Sequence, residues 1–508
     1  MYEHSNEMLS LDHYLQRNSR CFSGRVLICI NRFCRIPPYL LVCENLKTDI
    51  ATALIASPIA FSVIINKFPN SQGGGNVGLK TSFDRSELPQ DLAAITHFPP
   101  VSDRLTPPAQ QANSHYAPFP LTTRKIILSD ETLGEAARFE MLASRYDCII
   151  GSSPYINSLV RIVSRINGIS LAAREGKQAS YQLCCYNDFL NESAPPPTTN
   201  KGTVGISRLE SFGLNEINRD VFNASRCACQ MANIETKLLD SGLPSTITPS
   251  FILSLHSTLS AIYNPGVSAG LRNHDFSAPR SIQEESIYRP PSPLELPVFL
   301  KDLAAFINDS KLSPSIKGAL VHYQTEATKM FSSSTEQLNC ALLIGLWQNA
   351  GLIRRLILPI AVTPALETSK REKVLQPYRF SPLKTEVQMI DDWIYHTARA
   401  SQNAMQIEYG IFSIIGKIVD KWEALLASSE VHLTKTMRKL LIAILGAPVF
   451  SIASLAHATE ASYTTVSNII TLLSSHGIIT QVSRGRRNKV YACPEALGLF
   501  DTIIAEMA

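Results

Sequence analysis

The sequence predicts a mostly α fold that ends in a small α+β unit, and three observations predict it. Apolar residues recur at helical spacing through most of residues 129–428. Helix-start signals accompany several of these runs, among them the Ser129-Asp130 cap, Pro249 near a first turn, and the cap at Ser462. Strand-like alternation is read near the C-terminus, in Ile478–Val482 and Lys489–Ala492. The chain has 508 residues, of which 45% are apolar and 18% charged. That is enough for about two to four globular domains with sizeable cores.

Net charge is only +4, so global charge says little about partners. The 11 cysteines include Cys184-Cys185 and Cys227-x-Cys229 but no CxxC pair, which argues against zinc-finger and redox motifs. Reduced thiols in a cytoplasmic protein are expected. Glu3, Glu7 and Asp12 and the lack of an apolar core in residues 1–25 argue against a secretory signal. Ile50–Ile65 is apolar over about 16 residues but contains Pro58 and is shorter than a spanning helix needs, so no membrane association is expected. Residues 1–115 match no recognisable domain. Their apolar runs are broken by Gly73-Gly74-Gly75 and by Pro99, Pro100, Pro107 and Pro108, and the segment is left unassigned, as disordered or mis-started.

From Ser129 the chain reads as helix after helix. Ser129 caps the run to Ile150, with acidic residues in the first turn. A second helix is expected over Pro154–Asn167, with Gly168 as a candidate C-cap. Residues 188–205 contain Pro195-Pro196-Pro197 and read as a linker or surface loop. Glu216–Asp240 reads as a helix ended by Gly242, and Thr248–Ala261 as another. His256 reads as a packed or surface histidine rather than a ligand. Asn264–Pro291 is irregular, and Leu294–Asn308 is amphipathic, with Val298, Leu300, Leu303 and Phe306 on one face.

Ala319–Ile360 reads as two buried helices around a loop, Phe331–Asn339. Ser332-Ser333-Ser334-Thr335-Glu336 resembles N-cap material, and the N–H groups of a helix start there can hold an anion. Asp391–Ser428 reads as one or two long helices whose apolar side includes Trp393, Met405, Ile411 and Trp422.

The central stretch resembles the core of the Fic (Fido) family. Those proteins carry a helix ending in His-Pro-Phe, an acidic residue, Gly-Asn-Gly-Arg and a second Gly-Arg, and usually transfer AMP to target hydroxyls. The helix carrying His322 fits this pattern, as does Phe331. The family's histidine falls on Lys329, its proline on Met330 and its acidic metal ligand on Ser333. Its phosphate loop falls on Ser334-Thr335-Glu336-Gln337 and its second Gly-Arg on Asn339-Cys340. Lys329, Phe331, Ser333, Gln337 and Cys340 are therefore degenerate catalytic positions. Many relatives also carry an inhibitory glutamate on an earlier helix. Here Val163-Ser164-Arg165-Ile166-Asn167-Gly168 takes that place, with Asn167 for the glutamate. An amide cannot form the charge-assisted pair that an arginine needs. Gly270-x-Arg272 and Tyr288-Arg289-Pro290-Pro291 resemble the family's hairpin region, and Leu356-Ile357-Leu358-Pro359 its strand-like continuation.

At the C-terminal end, Thr434–Leu445, Ile452–Thr459 and a third helix capped by Ser462 and ended by Gly477 are expected. Val466, Ile469, Ile470 and Leu473 make the buried stripe of the third, which turns Tyr463, Thr464, Thr465 and Asn468 outward. Two strands follow, joined by Ser483-Arg484-Gly485-Arg486-Arg487-Asn488. Three helices and a basic hairpin read as a winged helix-turn-helix, similar to the tail on many bacterial Fic proteins. Tyr463, Thr464, Thr465 and Asn468 would face base edges, and Arg484, Arg486, Arg487 and Lys489 would meet phosphates.

The expected organisation is thus residues 1–115 unassigned, 116–250 and 251–365 forming a Fic-like helical region and its core, 366–430 a helical extension, and 431–508 the winged helix. The expected function is a DNA-binding regulator without AMP transfer, with duplex DNA as partner, no resident metal or cofactor, and a protein partner or a homodimer left open. An active adenylyltransferase using ATP and magnesium, and a non-functional remnant, are the alternatives.

Overall fold

A computed structural model describes residues 118–193, 201–214, 217–264, 266, 269–275, 278–281, 284–288, 290–362, 386–483 and 488–507. The described residues are mostly helical, as expected. The readings for residues 1–115 lie outside them.

The body is built on two long helices. Helix α1, Asp130–Ile150, starts where Ser129 Oγ accepts from the Thr132 amide, and it buries Ala136, Phe139 and Ala143. It lies along α10, Glu386–Ser428, a single 43-residue helix rather than two. At 1.5 Å per residue α10 is about 65 Å long. It buries Trp393, Ile394, Ala404, Ile411, Ile414, Ile415 and Trp422. Gly410 and Gly416 do not interrupt it, and neither has an atom within 4 Å of where a Cβ would stand.

Helix α2, Ile156–Arg174, runs past Gly168, which therefore does not end it. The chain instead leaves the helix at Glu175 and at Gly176, whose φ is +71°. Gly168 marks where α2 crosses α5, Arg219–Ser241: a Cβ there would lie 2.3 Å from the Ala228 carbonyl oxygen. Helix–helix contact at that spacing excludes any side chain. Between them, α3, Tyr181–Ser193, and α4, Lys201–Ser211, take up both ends of the expected linker, which is narrower than the sequence indicated. Helix α5 begins at the Asn218 cap and ends at Gly242, φ +67°. Helix α6, Pro249–Tyr263, carries Pro249 in its first turn as expected, and starts one residue later than read, with Thr248 as its N-cap.

Strands β1, Ala278–Ser281, and β2, Glu284–Tyr288, pair antiparallel. Helices α7, Leu296–Asp309, α8, Pro314–Thr328, and α9, Thr335–Asn349, follow. The α8–α9 loop spans only 329–334, shorter than expected, because α9 starts at Thr335. Ser334 is its N-cap in the left-handed region, φ +56°, and makes no side-chain capping bond, contrary to the expected cap. Residues 356–359 join no sheet; the Asn167 side chain of α2 donates to the Leu358 carbonyl instead.

The C-terminal elements follow the expected order. They are α11, Lys435–Gly446, α12, Ile452–Thr459, and α13, Tyr463–Ser475, with strands β4, Thr480–Gln481, and β5, Val490–Ala492. A further strand, β3, Val449–Ser451, was not foreseen, and the sheet order is β3-β5-β4. Helices α14, Pro494–Leu497, and α15, Leu499–Met507, complete the chain. These elements share a core with the body. Ser158 Oγ donates to the Ile442 carbonyl at 2.7 Å, and Arg165 Nη2 to that of Gly446 at 2.8 Å. Tyr181 stacks on Phe500 at 6.0 Å, and Trp422 Nε1 donates to Glu495 at 2.8 Å. Among the described residues no helix is long and apolar enough to cross a membrane.

Glu408 on α10 is a buried group that is not compensated. It is 0% exposed, and neither carboxyl oxygen has a hydrogen-bond partner among the described residues. Burial, and Asp147 nearby, push its pKa far above the usual range, so it folds neutral. The unfolded chain releases that proton first, so this group's contribution falls as pH rises above 4.5. Glu408→Met should therefore stabilise the protein at neutral pH, by up to about 3 kcal/mol. The gain should shrink towards pH 4, and denaturant midpoints at the two pH values check it.

Candidate functional site

The loop between α8 and α9 is held in one conformation from two sides. Lys329 ends α8 with φ +46°, a left-handed residue that is not glycine. Such a conformation persists only when its surroundings over-determine it. Arg272, 2% exposed, does much of this. Its backbone N–H donates to the Met330 carbonyl at 3.0 Å and its Nε to that of Lys329 at 2.9 Å. Its Nη2 reaches the Pro291 carbonyl at 2.6 Å, so one guanidinium ties the hairpin's exit to the end of α8. Carbonyls left open at a helix C-terminus favour such a cation.

His256 braces the other side. Its Nδ1 accepts from the Gly270 amide at 3.3 Å, which places the proton on Nε2, and Nε2 donates to the Ser333 carbonyl at 2.9 Å. The ring stacks on Phe331 at 4.2 Å. His256 is thus a packed histidine, as read, but one that sets the loop's shape.

The five positions that the resemblance marked as degenerate all lie on or just after this loop, in different environments. Lys329 Nζ pairs with Glu326 at 2.7 Å. Phe331 is buried, and Ser333 lends its carbonyl to His256 while its Oγ has no partner among the described residues. Gln337 and Cys340 are buried on α9. Gln337 Nε2 donates to Glu175 at 3.3 Å, and burial pushes the Cys340 thiol up beyond the usual range. Asn167 bonds backbone rather than an arginine: Nδ2 donates to the Leu358 carbonyl at 3.0 Å, and Oδ1 accepts from the Ala361 amide at 3.3 Å.

Sequence reading missed the charged network at the loop's mouth. Arg174, at the end of α2, donates to Glu336 Oε2 at 2.7 Å. His322 Nε2 lies 3.9 Å from the same oxygen, and Glu326 and Lys329 complete the group. Burial opposes ionisation of Glu336, but Arg174, His322 and Lys329 outweigh it and hold its carboxyl below the usual range. Arg174 and Glu336 are 162 residues apart, so no local pattern could have paired them.

In the C-terminal unit, Tyr463 is 59% exposed, and Thr464, Thr465, Asn468 and Lys489 are exposed as well. The Thr465 hydroxyl shares a hydrogen bond with the capping Ser462 at 2.8 Å. Arg484, Arg486 and Arg487 lie outside the described residues.

His256 supplies a test of the brace. Burial lowers its pKa from 6.5, with the Ser333 carbonyl opposing, so the unfolded chain takes up the proton first. Its contribution is present above pH 6.5 and is lost as pH falls from there through the native value. His256→Ala should cost about 3 kcal/mol at neutral pH and should lose this part of the acid dependence. Urea midpoints measured across that range decide it.

No family model and no curated protein matches the chain. Among solved structures it is similar to the crystal structure of a Fic family protein from Desulfovibrio desulfuricans G20. The match has 15% identity and a TM-score of 0.38, and covers 73% of this chain and 98% of that one.

Proposed function

We propose that the protein is a DNA-binding regulator whose Fic-like helical body serves as a scaffold without nucleotide transfer. The observation that carries the reading is α13. Its apolar stripe of Val466, Ile469, Ile470 and Leu473 is buried, while Tyr463, Thr464, Thr465 and Asn468 at its N-terminal end stay open to solvent. It follows α12 closely and is backed by a sheet of order β3-β5-β4 whose β4–β5 connection is basic. A winged helix has this arrangement, with the second helix of the turn entering the major groove and the wing on the phosphates.

The same reading removes catalysis. AMP transfer needs a base for the target hydroxyl, a carboxylate for magnesium and a tight loop around phosphates. The amine at the base position is paired with Glu326, and Ser333 brings no charge for a hard cation. Glu336 sets its own carboxylate at the α9 N-terminus, where it repels phosphate and takes the place of an external anion. Gln337 and Cys340 are buried. These residues do not fit a magnesium–triphosphate.

Because α11 shares its core with α2, the full chain is the right material. It should bind duplex DNA with an affinity that falls as salt rises. Arg486→Ala with Arg487→Ala should weaken all sequences alike and flatten the log–log salt slope by about 2. Asn468→Ala should instead change sequence preference. Fluorescence anisotropy reads both, and an absence of binding at low salt, or indifference to the arginines, would sink the proposal.

The scaffold half is tested with radiolabelled ATP and magnesium. No label should enter the chain or added proteins, and Lys329→His should not restore transfer. Label that is incorporated by the unmodified chain and lost on changing Lys329 would show a working transferase.

A further inference from the structure

We propose that His322, Glu326 and Glu336 form a binding site for a divalent first-row transition-metal ion of the zinc class, which ties α8 to α9 beside their loop. Their ligand atoms all lie within 4.8 Å of one another. His322 and Glu326 stand four residues apart, one above the other on one face of α8. Glu336 comes across from the first turn of α9. Tetrahedral ligands at zinc distances stand roughly 3.4 Å apart. The His322 Nε2–Glu336 Oε2 separation is 3.9 Å, so small side-chain rotations bring the donors into place.

The neighbouring cations do not account for the whole cluster. Arg174 pairs with Glu336 and Lys329 with Glu326, each at 2.7 Å. Two cations balance two carboxylates, and His322 Nε2 is left over. Among the described residues that atom is sealed from solvent and has no hydrogen-bond partner, a costly state for a ring nitrogen. The edge contact with Trp393, centroids 5.0 Å apart, fixes where the ring stands, with Nε2 towards the carboxylates. A metal ion gives that nitrogen its partner. Carboxylate oxygens carry more than one lone pair, so Arg174 and Lys329 can remain as outer partners that keep the carboxylates ionised and oriented. An imidazole in the set favours zinc, cobalt or nickel over magnesium or calcium. The site requires neither DNA binding nor catalysis.

The test is calorimetric titration of the full chain with zinc alone, with cobalt absorption as the spectroscopic arm. About one equivalent should bind, magnesium in large excess should not displace it, and cobalt should show visible d–d bands without a thiolate charge-transfer band. His322→Ala and Glu326→Gln should each lower zinc affinity at least about tenfold, and zinc should raise the melting temperature of the parent chain but not of the variants. No saturable zinc binding, or binding unchanged by His322→Ala, overturns the proposal. A thiolate band overturns it as well, since it assigns the metal to cysteines. If a variant does not fold, the cobalt spectrum of the parent chain still decides.

Discussion

The close crossing of α2 and α5 is the constraint on which most of the structure depends. With no side chain at Gly168, the helices approach until backbone meets backbone at Ala228. That approach buries α2 almost all round from Ser158 to Ala172. A helix buried on nearly every face must satisfy most of its polar side chains internally, and α2 uses several of them to hold neighbouring segments. Ser158 and Arg165 hold the carbonyls at the end of α11. Asn167 holds residues 358–361, and Arg174 holds Glu336 on α9 and the Ala361 carbonyl. One helix thereby positions the C-terminal unit, the segment after α9 and the mouth of the α8–α9 loop.

Buried charge is handled in two ways, and the geometry of each site decides which. Where a partner reaches, the charges pair: Arg165 Nε meets Asp188 at 2.6 Å, and Arg174 meets Glu336. Where none reaches, the group folds neutral. Glu235 has only the Asn167 amide at 3.5 Å, and burial pushes its carboxyl far up. Charge removed from water without a close partner costs more than protonation does. Gly446 shows the same economy of space in the backbone, since a Cβ there would lie 2.8 Å from Ser158. The C-terminal unit is therefore seated on the body by backbone contact as well as by its apolar core.

What the sequence by itself determined was whatever depends on residues within a turn or two of each other. The caps at Ser129 and Ser462 stand where their side chains indicated, and the helices read from Thr248 and Thr434 each start one residue later, with those threonines as N-caps. The stripe of α13 and the outward set beside it follow from period alone. Even there, ends drifted: α2 outran Gly168, and α9 began before its apolar run because Ser334 could take up a left-handed turn. Only the tertiary structure decided what depends on distant partners. It brought Arg272 to the end of α8, 57 residues on, and His256 to Ser333, 77 residues on. It also set His322 against Glu336, and made Gly168 a crossing point rather than a cap. The physical reason is that a cap or an amphipathic face draws its energy from neighbours along the chain. A clamp, a crossing or a ligand set exists only after packing has closed the long loops between its members.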